Sequence, residues 1–223
     1  NVYAGEVFGF LGPNGAGKTT TIKLLLSFLR PTSGMALLYG QPTRLPAARR
    51  LLGYLPETAS YPEFLTARET VQFYARLSGL AGRHVRDRTT AALATVGLRA
   101  DADRLLRHFS KGMLQRVGLA QALVHEPTCL VLDEPASGLD PLGRRELREI
   151  LVELRRQGLT IFFSSHELSE VEAICDSIAV LHRGRLVAHG ALDRLVMDVA
   201  RYRSRAEALE AFFVDTIRRH EHV

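Results

Sequence analysis

Gly12-Pro13-Asn14-Gly15-Ala16-Gly17-Lys18-Thr19 constrains this chain more than any other stretch, because it fits the pattern G-x-x-x-x-G-K-[ST] and separates two segments of different period. Before it, Glu6 to Phe10 is a short apolar run that reads as a strand. After it, Thr19 to Leu29 repeats apolar Ile22, Leu25, Leu26 and Leu29 at helical spacing. Strand, loop and helix in this order are the setting the pattern needs. The glycines let successive main-chain N–H groups converge on a phosphate, and the helix start adds positive potential. Lys18 then reaches the β- and γ-oxygens, and the Thr19 hydroxyl ligates Mg²⁺. Asn14, Gly15, Ala16, Gly17, Lys18, Thr19 and Thr20 are therefore the expected nucleotide-phosphate-binding residues of the loop.

The surrounding pattern is α/β. Pro31 to Gly34 supplies a turn, Met35 to Tyr39 reads as a strand, Pro46 to Leu52 as a brief helix, and Gly53 to Leu55 as another strand. Strand signals then vanish from Thr66 to Val124. Thr66 and Glu69 form a capping-box pair, Ala67, Val71 and Tyr74 share a face, and further helical stretches follow, so this region reads as a helical insertion. Strands resume at Cys129 to Leu132, Thr160 to Phe163 and Ser177 to Leu181. Between them lie helices near Pro141 to Gln157, with Leu147, Ile150, Leu151 and Leu154 as a buried stripe, and near His166 to Cys175. Residues 190 to 223 read as helical, with Leu192, Leu195, Val196 and Val199 on one face and a basic interruption from Arg201 to Arg205. This tail is expected to dock on the core.

Cys129-Leu130-Val131-Leu132-Asp133-Glu134 is an apolar strand ending in two carboxylates, which delivers both to the carboxyl edge of a sheet, where ligands bind in such folds. Asp133 would hold Mg²⁺, and Glu134 would polarise an attacking water as general base. A strand-end Asp-Glu taken alone is more often a solvated turn. Paired with the phosphate loop, it points to nucleotide hydrolysis.

Phe109-Ser110-Lys111-Gly112-Met113-Leu114-Gln115-Arg116 opens a helix shortly before that strand and resembles the signature sequence of ABC ATPases, usually Leu-Ser-Gly-Gly-Gln. Ser137-Gly138-Leu139-Asp140-Pro141 is similar to the D-loop of the same family, with Asp140 placed to cap a helix and Pro141 at its first turn. His166, the one of eight histidines that follows a strand beside these elements, resembles the family's switch histidine. The resemblance runs from Gly5 to about Gly190. It implies a P-loop NTPase fold: a RecA-like core of residues 1–57 and 126–190, a helical signature subdomain of 58–125 and a helical tail of 191–223, all one ATPase domain. It further implies a head-to-tail dimer in which Ser110 and Gly112 bind the ATP held by the partner subunit. Glu134, His166 and Lys18 are then the expected catalytic residues, and Thr19, Asp133 and Glu57 the expected metal ligands.

Three departures from the family pattern stand out. Glu57, in Gly53-Tyr54-Leu55-Pro56-Glu57, takes the place of the usual Q-loop glutamine and substitutes an acceptor-only carboxylate for an amide. Lys111 and Met113 replace a glycine and a glutamine in the signature. These changes resemble a subgroup that serves bacterial exporters of drugs, polysaccharides or lipids. Finally, chain order in the family places one or two strands and an adenine-stacking aromatic ahead of Asn1, so weaker adenine binding is expected here than in a chain carrying them.

No apolar run approaches the roughly 18 residues needed to span a bilayer, so the chain is expected to be cytoplasmic; the resemblance then implies a subunit on the inner face of a membrane, touching it only through a transmembrane permease. A soluble ABC-type ATPase acting on ribosome or DNA is the alternative. Relatives of that kind carry two cassettes or a long coiled-coil insertion, and nucleic acid is not an expected partner. The net charge of +5 suits anionic partners, but 26 of the 29 basic residues are scattered arginines, so it discriminates little. Cys129 and Cys175 lie far apart and are expected as buried reduced thiols.

Overall fold

The computed structural model describes residues 1–196 and 201–220. In chain order its elements are β1 (Val7–Leu11), α1 (Lys18–Leu25), β2 (Leu37–Leu38), β3 (Gln41–Pro42), α2 (Pro46–Arg49), β4 (Leu52–Leu55), α3 (Ala67–Leu77), α4 (Arg83–Thr95) and α5 (Lys111–Leu123). They continue with β5 (Cys129–Leu132), α6 (Pro141–Arg156), β6 (Thr160–Ser165), α7 (Leu168–Ile174), β7 (Ser177–His182), β8 (Arg185–Ala191), α8 (Leu192–Leu195) and α9 (Arg205–Arg219).

Six strands form one sheet in the order β4-β5-β6-β1-β7-β8. All neighbours run parallel except β7 and β8, which form an antiparallel hairpin at the edge. Parallel strands are covered on both faces, and the side chains divide accordingly. Phe8, Phe10, Val131, Phe162 and Leu181 pack with Ile22 of α1 and Leu26 just beyond it on one face, where Phe8 and Phe162 stack with ring centroids 5.7 Å apart. Val7, Leu11, Leu130, Leu132, Ile161, Phe163 and Ile178 face the other way and join the larger core with α3 to α7.

The helical region between β4 and β5 consists of α3, α4 and α5, and Thr66 caps α3 through a full capping box with Glu69. Helix α5 presses closely on β4. A Cβ built on Gly53 would lie 2.3 Å from the Ala122 carbonyl oxygen, so only a residue without a side chain admits the helix there.

Several expectations from the sequence need correction. The Met35 to Tyr39 segment contributes only Leu37 and Leu38, in a two-stranded hairpin apart from the main sheet, because Tyr39 and Gly40 turn the chain with positive φ of 48° and 78°. The helix expected to Leu29 ends at Leu25, where Ser27 enters the left-handed region at φ 60°. Residues 185–191 form a strand that the sequence reading passed over, and Gly190 and Ala191 belong to it and not to a helical tail. Beyond it, Leu192, Val196, Ala208 and Leu209 are buried in the main core, so the two described helices of the tail are docked on it. Val199, expected on the same face, lies outside the described residues.

Candidate functional site

Three neighbouring strands, β5, β6 and β1, end at the same edge of the sheet, and each delivers a side chain there. The chain leaves β1 through the glycine loop and enters α1 with Lys18 as its first residue. Gly12 sits so close to β7 that a Cβ on it would lie 2.4 Å from the Leu181 carbonyl oxygen. Gly184, in the β7–β8 turn, donates its N–H to the Ala16 carbonyl at 2.8 Å, so the hairpin braces the loop from below. Gly17 caps α1 with φ 106° and gives no side-chain hydrogen bond. The first N–H groups of any helix lack intrahelical acceptors, and here no capping side chain takes them, which suits them to an anion.

Asn14 and Gly15 are exposed at the loop tip, Ala16 is buried, Gly17 and Thr19 are half-buried and Thr20 is exposed. Lys18 is buried, with 6% of its surface accessible, and its ammonium donates to the Gly12 carbonyl at 2.8 Å. The same Nζ lies 3.1 Å from Glu134 Oε1. The other oxygen of Glu134, Oε2, lies 2.7 Å from His166 Nδ1 and 3.3 Å from the His166 main-chain N–H. One carboxylate thus joins Lys18 and His166, and each of its oxygens is taken by a different partner. An ionised carboxylate oxygen only accepts, so in this contact the imidazole donates from Nδ1. Glu134 is 8% accessible, whereas the His166 side chain is 44% accessible, so the cluster opens to solvent on its histidine side. A buried charge of this kind needs partners to offset its desolvation, and Glu134 has two.

Asp133, 2% accessible, accepts from Ser164 Oγ at 2.6 Å, and the Glu134 N–H donates to that same oxygen at 2.9 Å. Ser164 lies two residues before His166 and was not singled out from the sequence, in which it only follows the apolar strand read from Thr160 to Phe163. Arg144 was missed as well. It donates Nε to the Leu139 carbonyl at 3.1 Å and pairs through its guanidinium with Glu167, so it links the Ser137–Pro141 loop to the residue after His166. An Arg-carboxylate pair this far apart in sequence carries no local signal.

Ser110 caps α5 by accepting from the Met113 N–H at 3.2 Å, and Asp140 caps α6 from the Gly143 N–H at 2.7 Å. The two caps are neighbours. The Lys111 ammonium lies over Gly138, 2.2 Å from where a Cβ would stand, and Gly112 faces Leu139. Ser110 is exposed, and among the described residues no hydrogen bond or ion pair joins it to Lys18, Glu134 or His166. Glu57 is exposed two residues beyond β4 and is likewise unconnected to that cluster, although the Asp133 N–H donates to the Leu55 carbonyl at 2.9 Å and draws the ends of β4 and β5 together. Among the described residues, no three His, Cys, Asp or Glu side chains gather as a metal site. Phosphate-bound Mg²⁺ needs no such cage, because it is held by one or two side chains and the phosphates themselves.

A phosphate-type loop, two strand-end carboxylates and a histidine gathered on one sheet edge can together bind and polarise a nucleotide phosphate. Comparison with known proteins agrees. Residues 1–137 match the family model described as ABC transporter. An uncharacterized ABC transporter ATP-binding protein of Nostoc sp. is 52% identical over 87% of this chain and 59% of its own length. The bacitracin transport ATP-binding protein BcrA of Bacillus licheniformis is 41% identical over 87% of this chain and 64% of its own length, so the chain spans about three fifths of these relatives. A solved structure titled as an ATP binding subunit of an ABC transporter superposes with a TM-score of 0.81 at 34% identity, over 96% of this chain and 89% of that one. The chain belongs to the ABC transporter family, and its α/β fold with a largely parallel sheet is that of the family's ATP-binding domains.

Proposed function

We propose that this chain binds MgATP between its Gly12–Thr19 loop and the Ser110–Gly112 segment of a second, head-to-tail copy or paired subunit. It hydrolyses the nucleotide, and the closing and opening that follow drive a separate membrane permease. The observation that carries this reading is the joint hold of Lys18 and His166 on the Glu134 carboxylate. In this proposal residues 1–57 and 126–190 bind the nucleotide, residues 58–125 carry the signature to the partner, and residues 191–223 form a supporting tail.

Asn14 to Thr20 would cradle the phosphates, and Lys18 would exchange Glu134 for the β- and γ-oxygens. Glu134, released on that side and still hydrogen-bonded to His166, would accept a proton from the attacking water, a task worth about 10² to 10⁴ in rate. When bound, Mg²⁺ would neutralise phosphate charge, with Thr19, Asp133 and Glu57 as the side chains available to hold it. Export is the proposed direction. It rests on Glu57, Lys111 and Met113, which resemble the exporter subgroup, and on the similarity to a protein named for bacitracin transport. The proposed location follows from the partner: the inner face of a membrane, with contact through the permease.

A Glu134→Gln variant tests the dimer. In sedimentation with MgATP it is expected to retain nucleotide and shift to twice its mass, and an added Ser110→Arg change is expected to abolish the shift. A Glu134→Gln chain that binds MgATP yet stays monomeric at high concentration would contradict the shared-site reading.

A further inference from the structure

Ser164 is fully buried in β6, and its one hydroxyl serves both carboxylate-bearing residues at the end of β5. The hydroxyl hydrogen goes to Asp133 Oδ1 at 2.6 Å, and an oxygen lone pair accepts the Glu134 N–H at 2.9 Å. A hydroxyl can do both at once because it donates one hydrogen and accepts on two lone pairs. Glu134 needs such a hold. Its φ of 46° lies in the left-handed region, which is costly for a residue with a side chain and persists where surroundings enforce it. From that backbone conformation Glu134 reaches Lys18 with Oε1 and His166 with Oε2.

We infer that Ser164 is a positioning residue for the metal and the base. It takes one oxygen of Asp133, which leaves the other for Mg²⁺ or its water, and it pins the Glu134 main chain in the conformation that places the carboxylate between Lys18 and His166. The inference rests on the proposed MgATP site and adds to it a residue outside the phosphate loop, the strand-end carboxylates and the histidine. Ser164→Ala leaves the Glu134 N–H without its acceptor and frees Asp133 to rotate. Outer groups that orient metal ligands typically contribute about 10- to 100-fold to metal affinity or activity.

The test compares Ser164→Ala and Ser164→Thr with the unmodified chain. A fluorescent ATP analogue is titrated first in EDTA and then at rising Mg²⁺, phosphate release is followed against ATP and Mg²⁺, and melting temperatures are recorded. The alanine variant is expected to bind the analogue in EDTA like the unmodified chain. It should need about 10-fold more Mg²⁺ for half of the Mg²⁺-dependent gain in affinity, and its kcat should fall by more than its KM rises. The threonine variant, which keeps the hydroxyl, should recover most of both. An alanine variant with an unchanged Mg²⁺ response would overturn the inference. So would one whose Mg²⁺ response, EDTA affinity and melting temperature decline together, since that marks a purely structural residue. If the threonine methyl prevents folding, the alanine data decide alone. A lack of phosphate release by the unmodified chain would count against hydrolysis, while the Mg²⁺ titration, which needs no turnover, would still decide the role of Ser164.

Discussion

His166 donates from Nδ1 to Glu134 Oε2 across 2.7 Å, and its main-chain N–H approaches the same oxygen at 3.3 Å. The side-chain contact orients the carboxylate proposed as the base, whereas the main-chain contact does not depend on residue type. His166→Ala is therefore expected to fold normally and bind ATP with little change while losing at least about 100-fold in kcat, as expected when a positioned acid or base is disturbed. Steady-state phosphate release checks this, and an unchanged kcat would exclude a part for the imidazole.

Gly12 offers a steric test of the loop. Its Cβ position lies 2.4 Å from a main-chain oxygen of β7, which cannot swing aside as a side chain would. Gly12→Ala is expected to cost about 1–3 kcal/mol of stability through overpacking and to weaken ATP binding by shifting the loop. Urea unfolding and nucleotide titration measure the two effects, and a variant equal to the unmodified chain in both would refute the close approach.

His125 predicts a pH dependence of stability. Burial pushes its pKa below the ordinary 6.5, partly offset by its hydrogen bond to the Leu52 carbonyl at 2.9 Å, and its buried Nδ1 has no partner among the described residues. The folded chain thus takes the proton less readily than the unfolded one. Its contribution is complete above about pH 6.5 and is lost as pH falls toward the lower folded value. The melting temperature should drop between pH 7.5 and 5.5, and His125→Gln should make that drop smaller. An equal drop in the variant would assign the effect to other groups.

The two cysteines should be unreactive in the native chain. Burial pushes the Cys129 thiol up to about 12 and the Cys175 thiol well above its ordinary value, so little thiolate is present at neutral pH. Titration with an aromatic disulfide reagent at pH 8 is expected to modify neither quickly and both on unfolding in guanidinium. Fast modification of either in the folded chain would contradict the packing of Cys175 beside β1 and of Cys129 against the α1 face.

Much of the candidate site was legible from residue order alone, because the phosphate loop, Asp133-Glu134 and the Ser110 and Asp140 caps are local features with local chemistry. Ser164 and Arg144 were not. Their partners lie 31 and 23 residues away, and they meet only because β5 and β6 are neighbours in the sheet and α6 lies near the start of α7, relationships that a single sequence does not record. Strand β8 had a signal that was passed over: Arg183 and Gly184 turn with positive φ of 48° and 77° between two apolar runs, the geometry of a tight hairpin. The short β2 failed for the opposite reason. Apolar residues from Met35 to Tyr39 promised a strand, but Met35, Leu37 and Tyr39 are exposed, and among the described residues Leu37 and Leu38 pair only in a two-stranded hairpin apart from the main sheet.

The central claim, that the Glu134 carboxylate held by Lys18 and His166 is the base for ATP hydrolysis, is tested most directly by phosphate release at saturating MgATP from the unmodified chain and from Glu134→Gln. Steady release by the unmodified chain, with loss of at least about 100-fold in the variant and ATP still bound, is the predicted result. Undiminished hydrolysis by Glu134→Gln would contradict it.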